Sequence, residues 1–436
     1  MNKKIFGLVT VMMVAILLIA GCSSNKETAA KTEDGKVKIE FWYGLGGKLG
    51  ENVEKLITEF NESQDEVTVV GVAQGDYDET VQKLQAAIAA KKVPAAVLLE
   101  TEPLNAFADK GVLASLSSYI EKEENFNSDD FVKAFYEQGN IDGEQYGIPL
   151  FGTTQVLYYR KDMFEEAGIT PDTLKTWESL AGAAEKLTKK NGNDVTVYGW
   201  EPMYGEDNLI DAALSNGGKY ISEDGKEVLI DSPEWIESWE FFRKAIHEDK
   251  TMAIHHGGQG WEYWYKTIDD VMQDRAAGYT GSSGDQGDLD FTKVAAYPQP
   301  GWEGQNSAPH AEARVGAVPA LASDEQKEAA FKWLTFFSNS KNTAQWSMDS
   351  GYIAVRKSAQ DEPSFKEFAE KNPQILVPLE QAQYATPPFV DPTGGRIIDA
   401  LKIAADKVEI EGKSAEVALK EAKEIAQKEL DKVNNK

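Results

Sequence analysis

The stretch VKIEFWYGLGGKLGENVEKLITEFNESQDEVTVVGV, residues 37–72, decides the fold. Residues 37–43 alternate apolar and polar side chains before an apolar end, the pattern of a strand entering a sheet. Residues 44–50 break it as a glycine-rich loop. Val53, Leu56, Ile57 and Phe60 then recur at helical spacing, and residues 67–72 read as a second strand. Outward from there, a helix begun near Asp76 carries Gln85, Ala86, Ala89 and Ala90, and residues 95–100 form a third strand ending in the carboxylate of Glu100. A βαβαβ pattern favours a parallel sheet with helices on both faces. Ligands of such sheets sit at the carboxyl ends of the strands, which points to the loops after Tyr43, Val72 and Glu100.

The alternation resumes downstream. Residues 156–159 read as a strand, 161–167 as a short helix, and 177–189 as a longer one with Leu180, Ala184 and Leu187 on one face. A strand is expected over 195–200, a helix over 207–214 and a hairpin or loop over 216–231. Ser232-Pro233 opens a helix bearing Trp235, Trp239 and Phe242, with proline in the first turn where its missing N–H is harmless. Strands are expected at 276–279, 294–297 and 315–321, and a charged helix at 414–433 closes a mainly helical C-terminal part.

Upstream, residues 1–21 begin with Lys3 and Lys4, continue through an uncharged run from Ile5 to Ala20, and reach Ile19-Ala20-Gly21-Cys22. The run is shorter than the roughly 20 residues of a permanent membrane helix. It reads as a secretory signal with a lipobox, cleaved before Cys22, whose thiol and new amino group carry lipid. Residues 23–35 are small and polar, a flexible leash between lipid and body. Cys22 is the one cysteine, so no disulfide framework or cysteine-rich metal site is available.

The chain has 436 residues, with 45 Lys and Arg against 72 Asp and Glu, a net charge of −27. This surplus argues against a nucleic-acid binder, which needs a basic face, and against charge-driven docking on an anionic membrane. A hydrophobic fraction of 42% argues against a mainly disordered chain. The length fits two or three domains.

Catalytic motifs are scarce: GxSxG, HExxH and GxxxxGK[ST] are missing. His255 and His256 are adjacent, point apart on a regular element and have no third ligand evident from spacing, so a loop role is expected. Carboxylates such as Glu100 and Asp285 suit sugar hydrolysis only at a defined separation, which spacing along the chain does not supply. Aromatic residues say more. Trp261-Glu262-Tyr263-Trp264-Tyr265 follows a glycine-rich stretch, and one helix cannot bury all four rings in one core. Rings left partly exposed are flat platforms for the apolar faces of sugars. The loop Thr280-Gly281-Ser282-Ser283-Gly284-Asp285 follows a strand and offers hydroxyls and free N–H groups. Thr153 and Thr154 are similar in kind. Trp235, Trp239 and Trp333 are expected in the core.

The chain resembles the family 1 extracellular solute-binding proteins of ATP-driven importers. The likeness lies in residues 41–63, 74–90, 146–169 with 176–180, and 329–359. Within that family it is nearer the glycerol-phosphate-binding branch than the maltose-binding one. The resemblance implies an α/β fold of two lobes, each a mainly parallel sheet flanked by helices, joined at a hinge. The expected organisation is a signal peptide at 1–21, lipidated Cys22 and leash at 22–36, an N-terminal lobe of 37–149 and 316–337, and a C-terminal lobe of 150–315 and 338–436, with crossings near Pro149, Arg314 and Ser338. It further implies ligand contacts from Tyr77, Glu100, Thr153, Ser282 or Ser283, Gly316, Tyr352 and Arg396, and from Trp200 and Tyr204, and a buried Trp42. Trp261 and Asp285 join them from the aromatic run and the Gly/Ser loop. A family lysine before the GxY loop is Gln74 here, which shifts the expected ligand from a phosphate to a neutral oligosaccharide.

The expected function is therefore capture of a carbohydrate by lobe closure and delivery to the transmembrane subunits of an ABC permease. The protein would be a monomer, lipid-anchored on the outer face of a Gram-positive cell membrane, without cofactor, metal or turnover. The alternative ligand is sn-glycerol 3-phosphate or a glycerophosphodiester; a surface glycoside hydrolase is the third reading.

Overall fold

The computed structural model describes residues 31, 32 and 34–435. The expected signal segment, Cys22 and most of the leash lie outside the described residues. Where the leash meets the body, Lys31 bridges to Val37 and the Thr32 N–H donates to the Lys36 carbonyl at 3.0 Å, forming a tight turn.

The opening pattern folds as its spacing dictates. Strand β1 (Val37–Tyr43), helix α1 (Gly47–Ser63), β2 (Val67–Ala73), α2 (Tyr77–Ala90) and β3 (Ala96–Leu99) follow in order, then α3 (Thr101–Asp109). β1 pairs in parallel with β2 on one edge and β3 on the other. Val53, Leu56, Ile57 and Phe60 are the buried face of α1. The expected 44–50 loop is shorter than its glycines suggest. The amphipathic body of α1 propagates back to Gly47, with Gly50 N–H bonding to the Gly46 carbonyl at 3.0 Å. Trp42 departs from its expected burial: it is half-exposed and donates its indole N–H to Glu40 at 3.0 Å.

Strand β4 (Gly147–Arg160) is long enough to serve both halves of the molecule. Beyond it come α4 (Trp177–Leu187), β5 (Glu201–Pro202), α5 (Glu206–Ser215), α6 (Pro233–His247), α7 (Glu262–Met272), β6 (Gly278–Ser282), β7 (Val294–Tyr297) and β8 (Ala311–Ala317). Helices α8 (Asp324–Phe337), α9 (Ser340–Ser350), α10 (Arg396–Glu409) and α11 (Ala415–Asn434) complete the main elements. The large sheet runs β2-β1-β3-β8-β4-β6-β5, with β7 also on β4. β8 lies antiparallel to both β3 and the first half of β4. β6 and β7 lie antiparallel along opposite edges of its second half.

The fold is α/β with a mixed sheet. Parallel pairing in the first lobe is confined to β1–β3, since β8 runs antiparallel to β3 and β4, and in the second lobe only the short β5–β6 strand pair is parallel, because strands return to β4 from both sides. The strand expected at 195–200 is instead Asp194–Val197, the second arm of a hairpin with Lys189–Asn191, closed by the two-residue loop Gly192-Asn193 with Gly192 at positive φ. The strand expected at 315–321 begins earlier and ends before Pro319, which lacks the N–H to continue a ladder.

Two large apolar clusters and two smaller ones account for the lobes, the smallest gathering Ala344, Ala354, Ala359, Phe365 and Ile375. The first gathers β1–β3, α1 and α8. The second gathers α4, α5, α6, α10 and α11, with Trp177, Trp235 and Trp239 fully buried. The third sits between β4, β6 and α7. After residue 338 the clusters divide the chain differently from expectation: Trp346, Tyr352, Ile353 and Val355 pack in the first cluster, with Tyr352 against Phe151 at 4.4 Å. Among the described residues no helix is long and apolar enough to cross a membrane.

Candidate functional site

The carboxyl ends of β1 and β3 face α7 and β6 across a cavity of about 450 Å³. Its first wall depends on a close approach of backbones. A Cβ on Gly44 would stand 2.4 Å from the Asp76 carbonyl, so only glycine lets the β1 loop lie against the start of α2. Asp76 caps that helix, accepting from Glu79 N–H at 2.7 Å, and this aims Tyr77 inward from the first turn.

Arg314 on β8 supplies the central charge. Its guanidinium lies 5.0 Å from the centroid of the Tyr77 ring. It meets Glu100 at 2.9 Å and Glu312 at 2.6 Å. Burial raises the Glu100 pKa, and Arg314 only partly offsets the shift. Burial likewise opposes the charge of Arg314, but the two carboxylates outweigh it and hold the guanidinium protonated.

The floor is a hydroxyl and carboxyl network. Thr153 Oγ1 and Ser282 Oγ lie 3.2 Å apart, joining β4 to β6. Asp285 accepts from the Trp264 indole N–H at 2.7 Å and the Tyr279 hydroxyl at 3.1 Å. Burial still pushes its pKa up to about 8, against about 3.9 for an unfolded aspartate. The folded state therefore holds the proton more tightly, and this contribution to stability falls as pH rises from about 4 through 8. Asp285→Asn is expected to melt above the parent protein at pH 8 and to lose that advantage toward pH 4. Thermal melts across that range check it, and a gap independent of pH would exclude the titration. Tyr352, whose hydroxyl burial raises to about 12, closes the floor from the first cluster.

Aromatic rings form the second wall. Trp261 stands at the cap of α7, edge-to-face with Tyr77 (5.8 Å) and Trp264 (5.6 Å). Its indole N–H donates to the Gly44 carbonyl at 2.9 Å. Tyr263 meets Tyr204 at 5.4 Å, nearly perpendicular, and the Tyr204 hydroxyl bonds Asp406. Lys402 on α10 reaches Asp78 at 3.3 Å and Glu206 at 3.7 Å. Burial opposes its charge, but Glu206 and Asp78 outweigh it and raise its pKa. Trp261 to Gly44 and Lys402 to Asp78 both tie the second wall to the first, so the cavity lies between lobes already in contact.

Of the residues anticipated from sequence, Tyr77, Glu100, Thr153, Tyr204, Trp261, Ser282, Asp285 and Tyr352 surround this cavity. Four others lie elsewhere. Trp200 is in the core, its indole N–H bonded to Thr280 at 2.9 Å. Ser283 is buried away from the lining, and its hydroxyl has no partner. Gly316 sits inside β8, where Leu334 would stand 2.2 Å from a Cβ; its role is packing. Arg396, at the start of α10, pairs with Asp399 at 2.9 Å and lines a separate cavity of about 250 Å³. The structure adds Arg314, Tyr263, Trp264, Tyr265, Lys402, Asp406, Glu206 and Asp207. The aromatic run signalled its three members. Arg314 had a fainter sign, a lone arginine in the apolar strand AEARVGA beside Glu312. Lys402 and Asp406 looked like any polar pair on a helix. Outside the cavity, one group among the described residues, Glu201, His255 and Asp270, could hold a metal ion.

A family model described as bacterial extracellular solute-binding protein matches residues 55–375. The sn-glycerol-3-phosphate-binding periplasmic protein UgpB of Rhizobium meliloti (strain 1021) is 28% identical, over 80% of this chain and 82% of the relative. UgpB from Mycobacterium tuberculosis, solved in complex with glycerophosphocholine, superposes with a TM-score of 0.79 at 24% identity, covering 91% of this chain and 99% of that one. An ABC substrate-binding protein from Listeria monocytogenes, solved in complex with cycloalternan, superposes with a TM-score of 0.78 at 26% identity, covering 90% and 98%.

Proposed function

The chain belongs to the bacterial extracellular solute-binding proteins and is a solute-binding protein of ABC importers; on that premise we propose that its cavity takes a neutral oligosaccharide. The observation that carries this reading is the lining itself: partly exposed rings at Trp261, Tyr263, Trp264 and Tyr204 beside the carboxyl groups of Glu100, Asp207 and Asp285. Aromatic faces stack on the apolar faces of sugar rings, and carboxylates accept their hydroxyl hydrogens. The lining cations, Arg314 and Lys402, are each engaged by two carboxylates. A phosphate dianion would have to displace them in an acidic surround. The Listeria monocytogenes protein bound to cycloalternan supports the same class. The glycerol-3-phosphate-binding relatives favour the second reading, in which Arg314 is released from Glu100 to meet a phosphate.

Contacts from both walls are complete only with the lobes together, so ligand favours the closed form through its differential affinity. β4 and β8 carry the crossing, and the segment around Trp346–Val355 moves with the first lobe. The body is a monomer tethered through lipid on Cys22 to the outer face of a Gram-positive membrane, after removal of residues 1–21. It binds without turnover.

Calorimetry of the purified chain against linear and cyclic glucose oligosaccharides, glycerol 3-phosphate and glycerophosphocholine tests the ligand class. Saturable 1:1 binding of an oligosaccharide is expected. Binding of either phosphate compound with none of any sugar would replace the first reading by the second. Release of reducing ends from a bound sugar would overturn both.

A further inference from the structure

Glu201, on the short strand β5, is fully buried, and neither of its carboxylate oxygens accepts from an N–H or hydroxyl group; the polar group it meets is a second acid, Asp270. A buried carboxylate left in that state is costly; such groups are paired, protonated or bound to a metal. The groups facing it are His255, from the loop before α7, and Asp270, on α7 itself. One ligand atom from each of the three lies within 4.8 Å of the others. His255 Nε2 is 2.8 Å from Asp270 Oδ2. The other oxygen of Asp270 is held by Arg275 Nε at 2.5 Å, which leaves Oδ2 turned toward the histidine. His255 keeps 33% of its side chain exposed, so the cluster opens to solvent on one side.

We infer that Glu201, His255 and Asp270 form a site for a divalent transition metal of the zinc type. One imidazole nitrogen and two carboxylates are a borderline donor set that suits zinc or its neighbours rather than the all-oxygen shell of calcium or magnesium. Three protein ligands leave a fourth position for water on the exposed side. Arg275 orients its carboxylate from outside the ligand set, as supporting groups around metals do. The adjacent histidines had offered no third ligand by spacing; the other two come from β5 and from the third turn of α7. The ion would fasten α7, which carries Tyr263 and Trp264, to β5, which leads into Tyr204. The site is separate from the ligand cavity, and its existence does not depend on which solute is carried.

The test uses the whole chain freed of metal by chelation and dialysis. Zinc titration followed by calorimetry and native mass spectrometry is expected to show one ion per chain, with a raised thermal midpoint and no comparable response to calcium. His255→Ala, at a partly exposed position, is expected to weaken zinc binding at least about 10-fold, and Glu201→Gln to do the same with an unchanged circular dichroism spectrum. His256→Ala is expected to leave zinc binding as it is. No saturable binding by the parent chain, or equal binding by His255→Ala, would overturn the site and leave a proton shared between Glu201 and Asp270 as the account of the buried acid. Loss of binding in His256→Ala as large as in His255→Ala would assign the zinc to the histidine pair alone and overturn it too.

Discussion

Trp261→Ala is expected to weaken binding of the oligosaccharide by about 30-fold or more, the mark of an interface residue whose truncation costs at least about 2 kcal/mol, with little change in folding stability. The ring is half-buried, set edge-to-face against Tyr77 and Trp264. It offers a flat apolar surface, and its indole N–H ties the start of α7 to the Gly44 carbonyl across the cavity. Alanine removes both the platform and the tie. Trp261→Phe separates them: it keeps a ring and loses the donor, for a loss near 1 kcal/mol, or about 5-fold. Calorimetry of both variants against the same sugar, with urea melts as the control for folding, reads the difference. Unchanged affinity in Trp261→Ala would reduce the ring to packing.

Arg314→Met should have the largest effect on stability. It leaves Glu100 and Glu312 facing each other without the cation that bridges them. Breaking a buried pair costs about 3–5 kcal/mol. The low end applies, because the two glutamates keep 28% and 31% of their side chains exposed. The sign of the pH dependence follows. Burial already raises Glu100 above its ordinary value, and losing Arg314 raises it further. The variant is thus least affected where Glu100 is protonated, and its deficit widens as pH rises. Melts at pH 5 and pH 8 should show the larger gap at pH 8; equal gaps would mean the arginine contributes packing rather than charge.

The first lobe was legible because its elements are local. Val37–Tyr43, the face of Val53, Leu56, Ile57 and Phe60, and the carboxylate of Glu100 each declare themselves within a few residues, and the first three strands pair among themselves around β1. The second lobe was not. Its order depends on β4 accepting β6 and β7 on opposite edges, which no periodicity encodes. The site divides the same way. Trp261 and Asp285 were found from crowded aromatics and a Gly/Ser loop. Trp200, taken from the family resemblance alone, misled, since its indole turns into the core toward Thr280 rather than into the cavity. Lys402 and Asp406 became visible only when α10 was placed against the first lobe.

β8 also sets the order in which the chain can fold. Thr101 finds the Ala313 carbonyl across a separation of 212 residues, and β3 has no partner on that edge until β8 arrives. Closing so long a loop before any contact rewards it slows folding. The outer edge of β3 therefore stays open until nearly the whole of the intervening lobe has been synthesised. A polypeptide that stays unfinished for that long is threadable, which is the state an export channel requires.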